Sequence, residues 1–470
     1  MEKHASCTSM VVGKLASADG SIMIARNEDC KAAWPKRMVI HPAGDLPTDY
    51  VCKETKLKLK LPAHSAKYTA TPEWTDKYGT YEEDGINEYH VAMSATETTA
   101  SNQLVLGFDP LVKKGLNEEA MLTVVLPFVK TAREGVKRLG DLIAKYGTGE
   151  SNGILFADDN EAWYFENGSG HYWVAERIPD DSYAVIANQI SIQEIDFDDP
   201  DNFMYHEDIR SFVEEHHLNP EPDHFNFRKI FGTNERFDAG YNTPRVWYGH
   251  HMFNPIQNQN EDPESPNLPM LMKPEQKLTV LDVQRYLQSH YQGTPYDPVG
   301  ILGDDRSRHL YRPVSLAKTQ ESHILQMNRP HSNDIHWLSM GVPSESVFVP
   351  FFADIDDIPV QYKRGRLPAS LSSAYWIFKQ TSVLVDSHYH EFMPLLKDVQ
   401  NKLISDSINM VEKADQESPK LKGQKRVDYL TDASKTFAKK AMHEYQALAV
   451  QLIEKMTDYC ELVYNPRETL

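Results

Sequence analysis

The chain has few cysteines and no long apolar stretch. Its 470 residues include only four cysteines, Cys7, Cys30, Cys52 and Cys460, which show neither metal-ligand spacing nor the density of a disulfide framework. No apolar run approaches the roughly 18 residues that a membrane span requires. We therefore expect no membrane association, and a reducing cytoplasm is the simplest compartment for the protein.

Positive charge is also in short supply. The chain carries 49 lysines and arginines against 68 aspartates and glutamates, which gives a formal net charge of −19. Acidic surfaces repel nucleic acid and anionic membranes, so neither is expected as a partner. The sequence has no strong glycine-rich phosphate loop, and the acidic run 196–201 lacks the ligand spacing of a calcium loop. We expect neither a cofactor nor a metal.

The most informative stretch is the first thirty residues. Two runs of apolar and β-branched residues, 7–13 and 22–29, flank an Asp-Gly turn, which is a strong signal for a β-hairpin. The hairpin brings Cys7 close to the end of the second strand, where Arg26 and Asp29 lie. Arg26 should lower the pKa of the thiol, and Asp29 is expected to orient either the arginine or a nearby amine.

Six residues precede Cys7, and they are too few and too polar for a secretory signal. If they form a propeptide, cutting the Ser6–Cys7 bond gives Cys7 a free α-amine. A nucleophile then carries its own base, as in N-terminal-nucleophile catalysis. The alternative is a buried cysteine that opens an ordinary edge strand. The Arg-Asn-Glu-Asp run on the facing strand favours the catalytic interpretation.

Several separated motifs occur in an order that resembles one enzyme family. They are Cys7-Thr8 and the runs 25–29, 85–88, 95–98, 187–189, 241–245, 293–298 and 337–351. This pattern resembles the dipeptidase A family, peptidase family C69. The family belongs to the cysteine N-terminal-nucleophile hydrolases, which include penicillin V acylase, bile salt hydrolase and the secernins. The resemblance covers about residues 7–360.

The resemblance implies an α+β chain with the αββα four-layer fold of the N-terminal-nucleophile hydrolases. It also implies that Asn188 donates a hydrogen bond to a developing oxyanion, for which an Asx turn is the alternative. Arg245 resembles the second active-site arginine of the cysteine acylases. Two arginines near one thiol would hold it as thiolate and bind a substrate carboxylate, whereas a salt bridge at a helix start is the alternative for Arg245.

Glu97 departs from the acylase pattern, which has an asparagine near this position. We expect the Glu97 carboxylate to bind the free α-ammonium group of a substrate through a charge-assisted hydrogen bond. A backbone N–H near Thr96 is expected to assist at the oxyanion. The alternative for Glu97 is an exposed glutamate at a strand end.

Hydrophobic periodicity predicts strands, then helices, then strands. A helix that begins at Glu118 should end or kink at Pro127, and a capping box at Thr131 starts the next helix. Residues 154–187 then predict four antiparallel strands in a meander.

The C-terminal part has a different pattern. Two helical faces beyond residue 390, separated by a polar break, predict an antiparallel αα-hairpin. We accordingly divide the chain into a propeptide (1–6), a catalytic domain (7–380) and a helical C-terminal extension (381–470).

Together these features predict a cysteine dipeptidase that cleaves short peptides, dipeptides first, through a thioester, and that forms a homo-oligomer. One alternative is an acylase acting on N-acyl conjugates, against which Glu97 argues because such acyl groups carry no ammonium. The other is a non-enzymatic, secernin-like protein on the same fold, against which the intact set of candidate residues argues.

Overall fold

The computed structural model describes residues 7–329, 333–459 and 462. In chain order its strands are β1 (Thr8–Val12), β2 (Ile22–Asp29), β3 (Val39–His41), β4 (Gly44–Asp45), β5 (Asp49–Val51), β6 (Lys58–Lys60), β7 (His64–Ser65), β8 (Tyr68–Ala70), β9 (Asp84–Ile86), β10 (Ala92–Thr98), β11 (Asn152–Ala157), β12 (Ala162–Asn167), β13 (Trp173–Ile178), β14 (Tyr183–Ile186), β15 (Phe203–Tyr205), β16 (Leu271–Met272), β17 (Thr319–Met327), β18 (Ile335–Met340) and β19 (Val349–Phe352). The helices are α1 (Gln103–Phe108), α2 (Glu118–Val125), α3 (Ala132–Tyr146), α4 (Ile209–Glu215), α5 (Phe227–Phe231), α6 (Arg236–Tyr241), α7 (Thr243–Phe253), α8 (Val280–Leu287), α9 (Ala374–Ser387), α10 (Tyr389–Glu417) and α11 (Gln424–Met456).

Two large sheets organise the strands. The seven-stranded sheet has the order β16-β14-β1-β2-β17-β18-β19, and the six-stranded sheet has the order β15-β13-β12-β11-β10-β9. The predicted N-terminal hairpin is present, with Ser9 of β1 opposite Arg26 of β2. β1 also pairs with β14 on its other side. Cys7, which directly precedes β1, therefore lies near the middle of the larger sheet.

Four layers result from the packing of these sheets. The inner faces pack on each other through apolar residues that include Val11, Ile24, Leu155 and Tyr164. Helices α2 and α3 cover the outer face of the six-stranded sheet, and α7 to α11 cover the outer face of the seven-stranded sheet. The predicted α+β architecture, an αββα four-layer sandwich, is confirmed.

Local sequence signals set the end of α2 and the start of α3, the two helices that cover the six-stranded sheet. α2 ends at Val125, and Pro127 lies in the 3-10 turn that follows, as predicted. Thr131 caps α3 by accepting a hydrogen bond from the backbone N–H of Glu134 at 3.1 Å. The Glu134 carboxylate accepts from the Lys130 N–H rather than from Thr131, so the predicted capping box is only half formed.

The predicted four-stranded meander is wrong in its last strand. β11, β12 and β13 follow one another in the six-stranded sheet, but β14 pairs with β1 and β16 of the other sheet. The turn before β14 is tied to the end of β1, since the Gly13 N–H donates to the Ser182 carbonyl at 2.9 Å and the Leu15 N–H to the Asp180 carbonyl at 2.7 Å. This crossover delivers the residues after β14 to the side of Cys7.

The C-terminal helices form the predicted hairpin. α10 and α11 pack on each other, on α9 and on β19, and their buried residues, including Leu403 and Phe437, join the core beneath the seven-stranded sheet. Residue 380 falls inside α9, so the division of the chain at that point stays a prediction. Within the described ranges, no helix combines the length and the hydropathy that a membrane crossing needs.

Candidate active site

Cys7 and Arg26 lie on the inner face of the seven-stranded sheet. Side chains alternate between the faces of a strand, and Cys7 is two residues before Ser9, which is opposite Arg26. The Arg26 Nη1 group donates a hydrogen bond to Cys7 Sγ at 3.3 Å. Both side chains are fully buried. The hairpin thus brings together the Cys7 thiol and the Arg26 guanidinium, as the sequence predicts.

Arg26 has two further partners on the facing sheet. Its Nη2 group donates to Glu83 Oε2 at 2.5 Å, and its Nη1 group donates to the Thr96 carbonyl. Burial alone would lower the pKa of Arg26, but the charges of Cys7 and Glu83 raise it well above its ordinary value. Arg26 is therefore a permanent cation, and a cation in contact with sulfur stabilises the thiolate.

The other described cysteines have a different environment. Burial raises the pKa of the Cys30 thiol to about 12, and the Glu28 charge acts in the same direction. Burial and the Glu119 charge raise the pKa of the Cys52 thiol to about 12. Neither side chain is a thiolate near neutral pH.

Arg245 approaches the hairpin from the opposite face, where α7 packs. Its Nε group donates to the Tyr241 carbonyl at 2.9 Å, and its Nη1 group donates to the Cys7 carbonyl and, at 2.8 Å, to Thr8 Oγ1. Its Nη2 group donates to the side-chain oxygens of Asn188 at 2.8 Å and Asn242 at 2.7 Å.

All five N–H groups of Arg245 are therefore engaged by protein acceptors. In this arrangement protein acceptors engage the whole guanidinium, and the binding of a substrate carboxylate by Arg245 stays a prediction. What Arg245 holds is the main chain of Cys7 and the side chain of Asn188.

Asp29 orients a different arginine from the one expected. Its carboxylate accepts hydrogen bonds from Arg312 Nη2 and from Thr319 Oγ1. Asp29 is three residues from Arg26 along the strand, and an odd spacing places two side chains on opposite faces. Burial raises the pKa of Asp29, although Arg312 and Thr319 oppose the shift. Arg312 also reaches Thr8 Oγ1 at 3.4 Å, so Asp29 acts on the hairpin through Arg312.

Asn188 follows β14 and is held in a defined orientation. Its Oδ1 atom accepts from Arg245, and its Nδ2 group donates to the Thr98 carbonyl at 2.9 Å. A guanidinium can only donate, so the amide oxygen has to face Arg245 and the NH₂ group has to face the other way. One of the two Nδ2 hydrogens is used by Thr98. The other is suited to stabilising an oxyanion.

A cleft of about 1310 Å³ opens beside Asn188 and Asn242. The loops after β10, before β11 and around α6 form its walls, and the aromatic rings of Trp34 and Tyr78 contribute to them. Its charged lining is mostly acidic, with one lysine against four carboxylates: Lys31, Glu54, Glu150, Glu235 and Asp238. Such a lining favours a substrate that carries positive charge.

The two predicted substrate-binding residues, Thr96 and Glu97, lie next to each other on β10. Thr96 is fully buried, and its carbonyl accepts from Arg26, so the structure places it beside the guanidinium. The side chain of Glu97 lies outside the described part of the chain, although its backbone belongs to β10 opposite Gly153. The role of Glu97 stays a prediction.

Sequence reasoning missed Arg312, Glu83 and Lys36. Lys36 is fully buried and forms ion pairs with Glu28 at 2.8 Å and with Glu83 at 3.9 Å. Each of the three missed residues lies in an irregular segment without periodicity, and each becomes a neighbour of the site only through long-range folding. The sequence around these residues carries no pattern that indicates their approach to the site.

The four-layer sandwich with a buried cysteine at the start of a central strand is the class of fold that the sequence resemblance implies. Within that class the chain belongs to peptidase family C69, whose sequence profile matches residues 6–402. This confirms the resemblance that the separated motifs indicate.

The chain is similar to several named relatives over most of its length. It is 48% identical over 403 residues to a probable dipeptidase of Latilactobacillus sakei, covering 85% of each chain. It is 38% identical to probable dipeptidase B of Lactococcus lactis, covering 96% of each chain. It is 33% identical to dipeptidase A of Lactobacillus helveticus, covering 98% of this chain and 99% of that one.

Proposed function

We propose that this protein is a dipeptidase that cleaves its substrate through a thioester at Cys7. The observation that carries the proposal is the 3.3 Å contact between Cys7 Sγ and the buried cation Arg26, together with Arg245, which links the Cys7 carbonyl to the side-chain amide of Asn188. Membership of family C69 and relatives named as dipeptidases support peptides as the substrate class.

The mechanism needs a base for the thiol. Removal of residues 1–6 supplies one, because the α-amine of Cys7 has a reference pKa of about 7.7–8.0 and is bonded to the same Cα. The amine takes the thiol proton directly or through water, and Arg26 stabilises the resulting thiolate. In the 470-residue chain Cys7 is fully buried, so we propose that the same cleavage opens it to the cleft.

The thiolate attacks the scissile carbonyl carbon, and the carbonyl oxygen becomes an oxyanion. The second N–H of Asn188 Nδ2 donates to that oxygen, an interaction that typically contributes a few kcal/mol to the transition state. When the tetrahedral intermediate collapses, the leaving amine takes a proton from the α-ammonium of Cys7. Water, deprotonated by the same amine, then attacks the thioester and releases the acyl half as a carboxylic acid.

The acidic cleft supports dipeptides over N-acylated substrates. A free dipeptide carries an α-ammonium group, whereas an N-acyl conjugate has none. The acidic residues that line the cleft therefore attract the ammonium group of a free dipeptide. An N-acyl conjugate has no such group for them to bind. Glu97 remains the proposed direct partner of the ammonium. A homo-oligomer and a cytoplasmic location remain predictions.

Intact mass and N-terminal sequencing of the purified protein test the proposal. We expect a chain that begins at Cys7 and that hydrolyses free dipeptides much faster than their N-acetylated forms. We expect the Cys7→Ser protein to keep residues 1–6 or to lose them slowly, because the thiol itself attacks the Ser6 carbonyl. A fully active enzyme that still begins upstream of Cys7 would contradict the N-terminal-nucleophile mechanism.

A further inference from the structure

Two carboxylates lie together beside the acidic cleft. Glu118 is the first residue of α2, and Glu150 lies shortly before β11. The backbone N–H of Glu118 donates a hydrogen bond to Glu150 Oε2 at 3.2 Å, which brings the Glu150 carboxylate to the start of α2. Glu150 lines the cleft, and Glu118 is buried next to it, with 6% of its surface exposed. We call these two residues the carboxylate pair.

The carboxylate pair lacks a cationic partner in the part of the chain that the structure describes. Neither side chain forms an ion pair there, and the nearby Arg26 is paired with Glu83 at 2.5 Å. Burial and the charges of Glu83 and Glu150 raise the pKa of Glu118 well above its ordinary value. Burial raises the pKa of Glu150 to about 7. A positive charge brought in by a ligand would therefore be strongly stabilised at this place.

Two buried polar side chains next to the carboxylate pair point to a ligand. The Thr96 hydroxyl and both polar atoms of the Asn152 amide are fully buried, and none of them has a hydrogen bond of accepted geometry with a described residue. Each side chain lies close to the pair, since Thr96 lowers the pKa of Glu118 and Asn152 lowers that of Glu150. Buried polar atoms without partners are rare in native structures. A polar group bound at the pair would satisfy them.

Strand β10 connects the carboxylate pair to the thiol. Thr96 lies on this strand, and its carbonyl accepts a hydrogen bond from Arg26 Nη1. The same Nη1 group donates to Cys7 Sγ at 3.3 Å. Only Thr96 therefore separates Glu118 from the cation that contacts the thiol.

The same strand connects the pair to the proposed oxyanion donor. Thr98 is opposite Asn152 in the pairing of β10 with β11, and residues opposite each other present their side chains to the same face of a sheet. The Thr98 carbonyl accepts from Asn188 Nδ2 at 2.9 Å. The carboxylate pair thus adjoins the segment of β10 that holds both Arg26 and Asn188.

A free dipeptide needs a partner for its α-ammonium group in such a place. The ammonium nitrogen is two bonds from the scissile carbonyl carbon and lies about 2.5 Å from it. Its partner therefore has to lie close to the thiol and the oxyanion donor rather than at the rim of the cleft. An ammonium group has three N–H donors, so binding by the pair is compatible with the predicted contact of Glu97.

We propose that Glu118 and Glu150 bind the α-ammonium group of the substrate and thereby restrict the enzyme to peptides with a free N-terminus. The inference rests on the dipeptidase proposal and assigns its substrate selection to two residues. An ammonium group gains charge-assisted hydrogen bonds from the pair. A substrate that lacks it leaves the carboxylates and the two polar side chains without partners, and a site built in this way rejects such an analogue strongly.

Two substrates of nearly the same shape test the proposal. L-Alanyl-L-leucine carries the α-ammonium group, and N-propionyl-L-leucine has a hydrogen in its place. The value of kcat/KM is measured for both from the released leucine, with the purified wild type, Glu118→Gln and Glu150→Gln. We expect each variant to lose about 30-fold or more on the dipeptide, because one partner of a desolvated charge pair is removed. Each should stay within about threefold of wild type on N-propionyl-leucine.

The matched control is Glu119→Gln. Glu119 is the next residue of α2 and is also buried. Its carboxylate is already satisfied, since it accepts from the backbone N–H groups of Glu54 at 3.0 Å and Thr80 at 3.3 Å. We expect this variant to stay within about threefold of wild type on both substrates.

Urea unfolding separates ligand binding from a structural role. A carboxyl group whose pKa is raised in the folded chain lowers stability above about pH 4.3, because the unfolded chain ionises it more easily. Glu118→Gln removes this cost, so at pH 7 the variant should unfold at a higher urea concentration than the wild type although it is less active. A lower midpoint would assign Glu118 to the fold and overturn its proposed role.

The kinetic outcomes distinguish this inference from the dipeptidase proposal. A wild type that cleaves the dipeptide, with both variants keeping its rate within threefold, overturns the inference alone. An equal loss on the two substrates also overturns it, because the pair then does not recognise the ammonium group. A wild type that cleaves neither substrate contradicts the dipeptidase proposal and the inference with it.

Discussion

The two faces of the β1–β2 hairpin carry different kinds of polar residue. The inner face presents Cys7, Arg26 and Glu28 to a charged layer between the sheets. The outer face presents Thr8 and Asp29 to the helices, where Arg245 and Arg312 bind them. Strand alternation alone divides the hairpin in this way.

The difference between the faces lies in what the arginines touch. Arg26 contacts the sulfur of Cys7 and so acts directly on the chemistry of the thiol. Arg245 binds the Cys7 carbonyl and Arg312 binds Asp29, so both act on the position of the hairpin. We infer that a substitution on the inner face will lower turnover by more than its loss of unfolding free energy accounts for. A substitution on the outer face will mainly lower the unfolding free energy.

Loss of the thiol is the most severe test of the inner face. Cys7→Ser should lower kcat/KM by about 10³-fold or more, because a serine hydroxyl at this site is a much weaker nucleophile than a thiolate. Circular dichroism should show an unchanged fold. Cys30→Ser is the control, and its kcat/KM should stay within about twofold of wild type. Wild-type turnover in the Cys7→Ser protein would mean that the thiol is not the nucleophile.

Arg26→Gln should produce the next largest effect. It removes the closer of the two cations that pair with buried Glu83 and leaves Lys36 at 3.9 Å, so unfolding free energy should fall by about 3–5 kcal/mol. The thiol should also lose its stabilising cation, which moves the pH dependence of Cys7 alkylation in the processed enzyme to higher pH. Arg312→Gln breaks a buried ion pair on the outer face and should destabilise the protein without moving that profile. The same shift in both variants would abolish the distinction between the faces.

Asn188→Ala tests the proposed role of Asn188 as a hydrogen-bond donor to the oxyanion. We expect kcat to fall by about 10²–10³-fold with little change in KM, since the hydrogen bond is made in the transition state. Asn242→Ala removes the other amide that accepts from Arg245 Nη2 and should lower kcat by less than about tenfold. Steady-state kinetics on one dipeptide decides the matter. A loss in KM alone for Asn188→Ala would assign Asn188 to substrate binding.

Asp29→Asn should have the smallest effect on activity. The amide keeps the shape of the side chain but weakens the contacts with Arg312 and Thr319, so we expect a loss of about 1–3 kcal/mol in unfolding free energy. The kcat value should stay within about tenfold of wild type. Denaturant unfolding and kinetics on the same preparation measure both. A kcat loss well beyond tenfold would return Asp29 to the catalytic group.

Features set by local sequence were the predictable part of this fold. The Asp-Gly turn, the break at Pro127 and the periodicity of α10 and α11 act over a few residues and are read without knowing any distant partner. The partner of β14 was not predictable in this way, because the choice between β13 and β1 depends on contacts more than 150 residues apart in sequence.

The candidate site shows the same limit. Cys7 and Arg26 face each other across one hairpin, and the sequence pairs them correctly. Glu83 and Arg312 reach the hairpin from 57 and 283 residues away, and no pattern around them indicates that approach. The separation of Arg26 and Asp29 onto opposite faces was available from the odd spacing of the two residues.

The partner strand of β2 sets when the site is completed during synthesis. Asp29 meets Thr319 across a separation of 290 residues, so the hairpin lacks one neighbour until β17 has left the ribosome. At about 5–20 residues per second, that takes roughly 15–60 s after the N-terminus is made. A nascent chain therefore carries Cys7 without its finished surroundings until at least 327 of its 470 residues have been made.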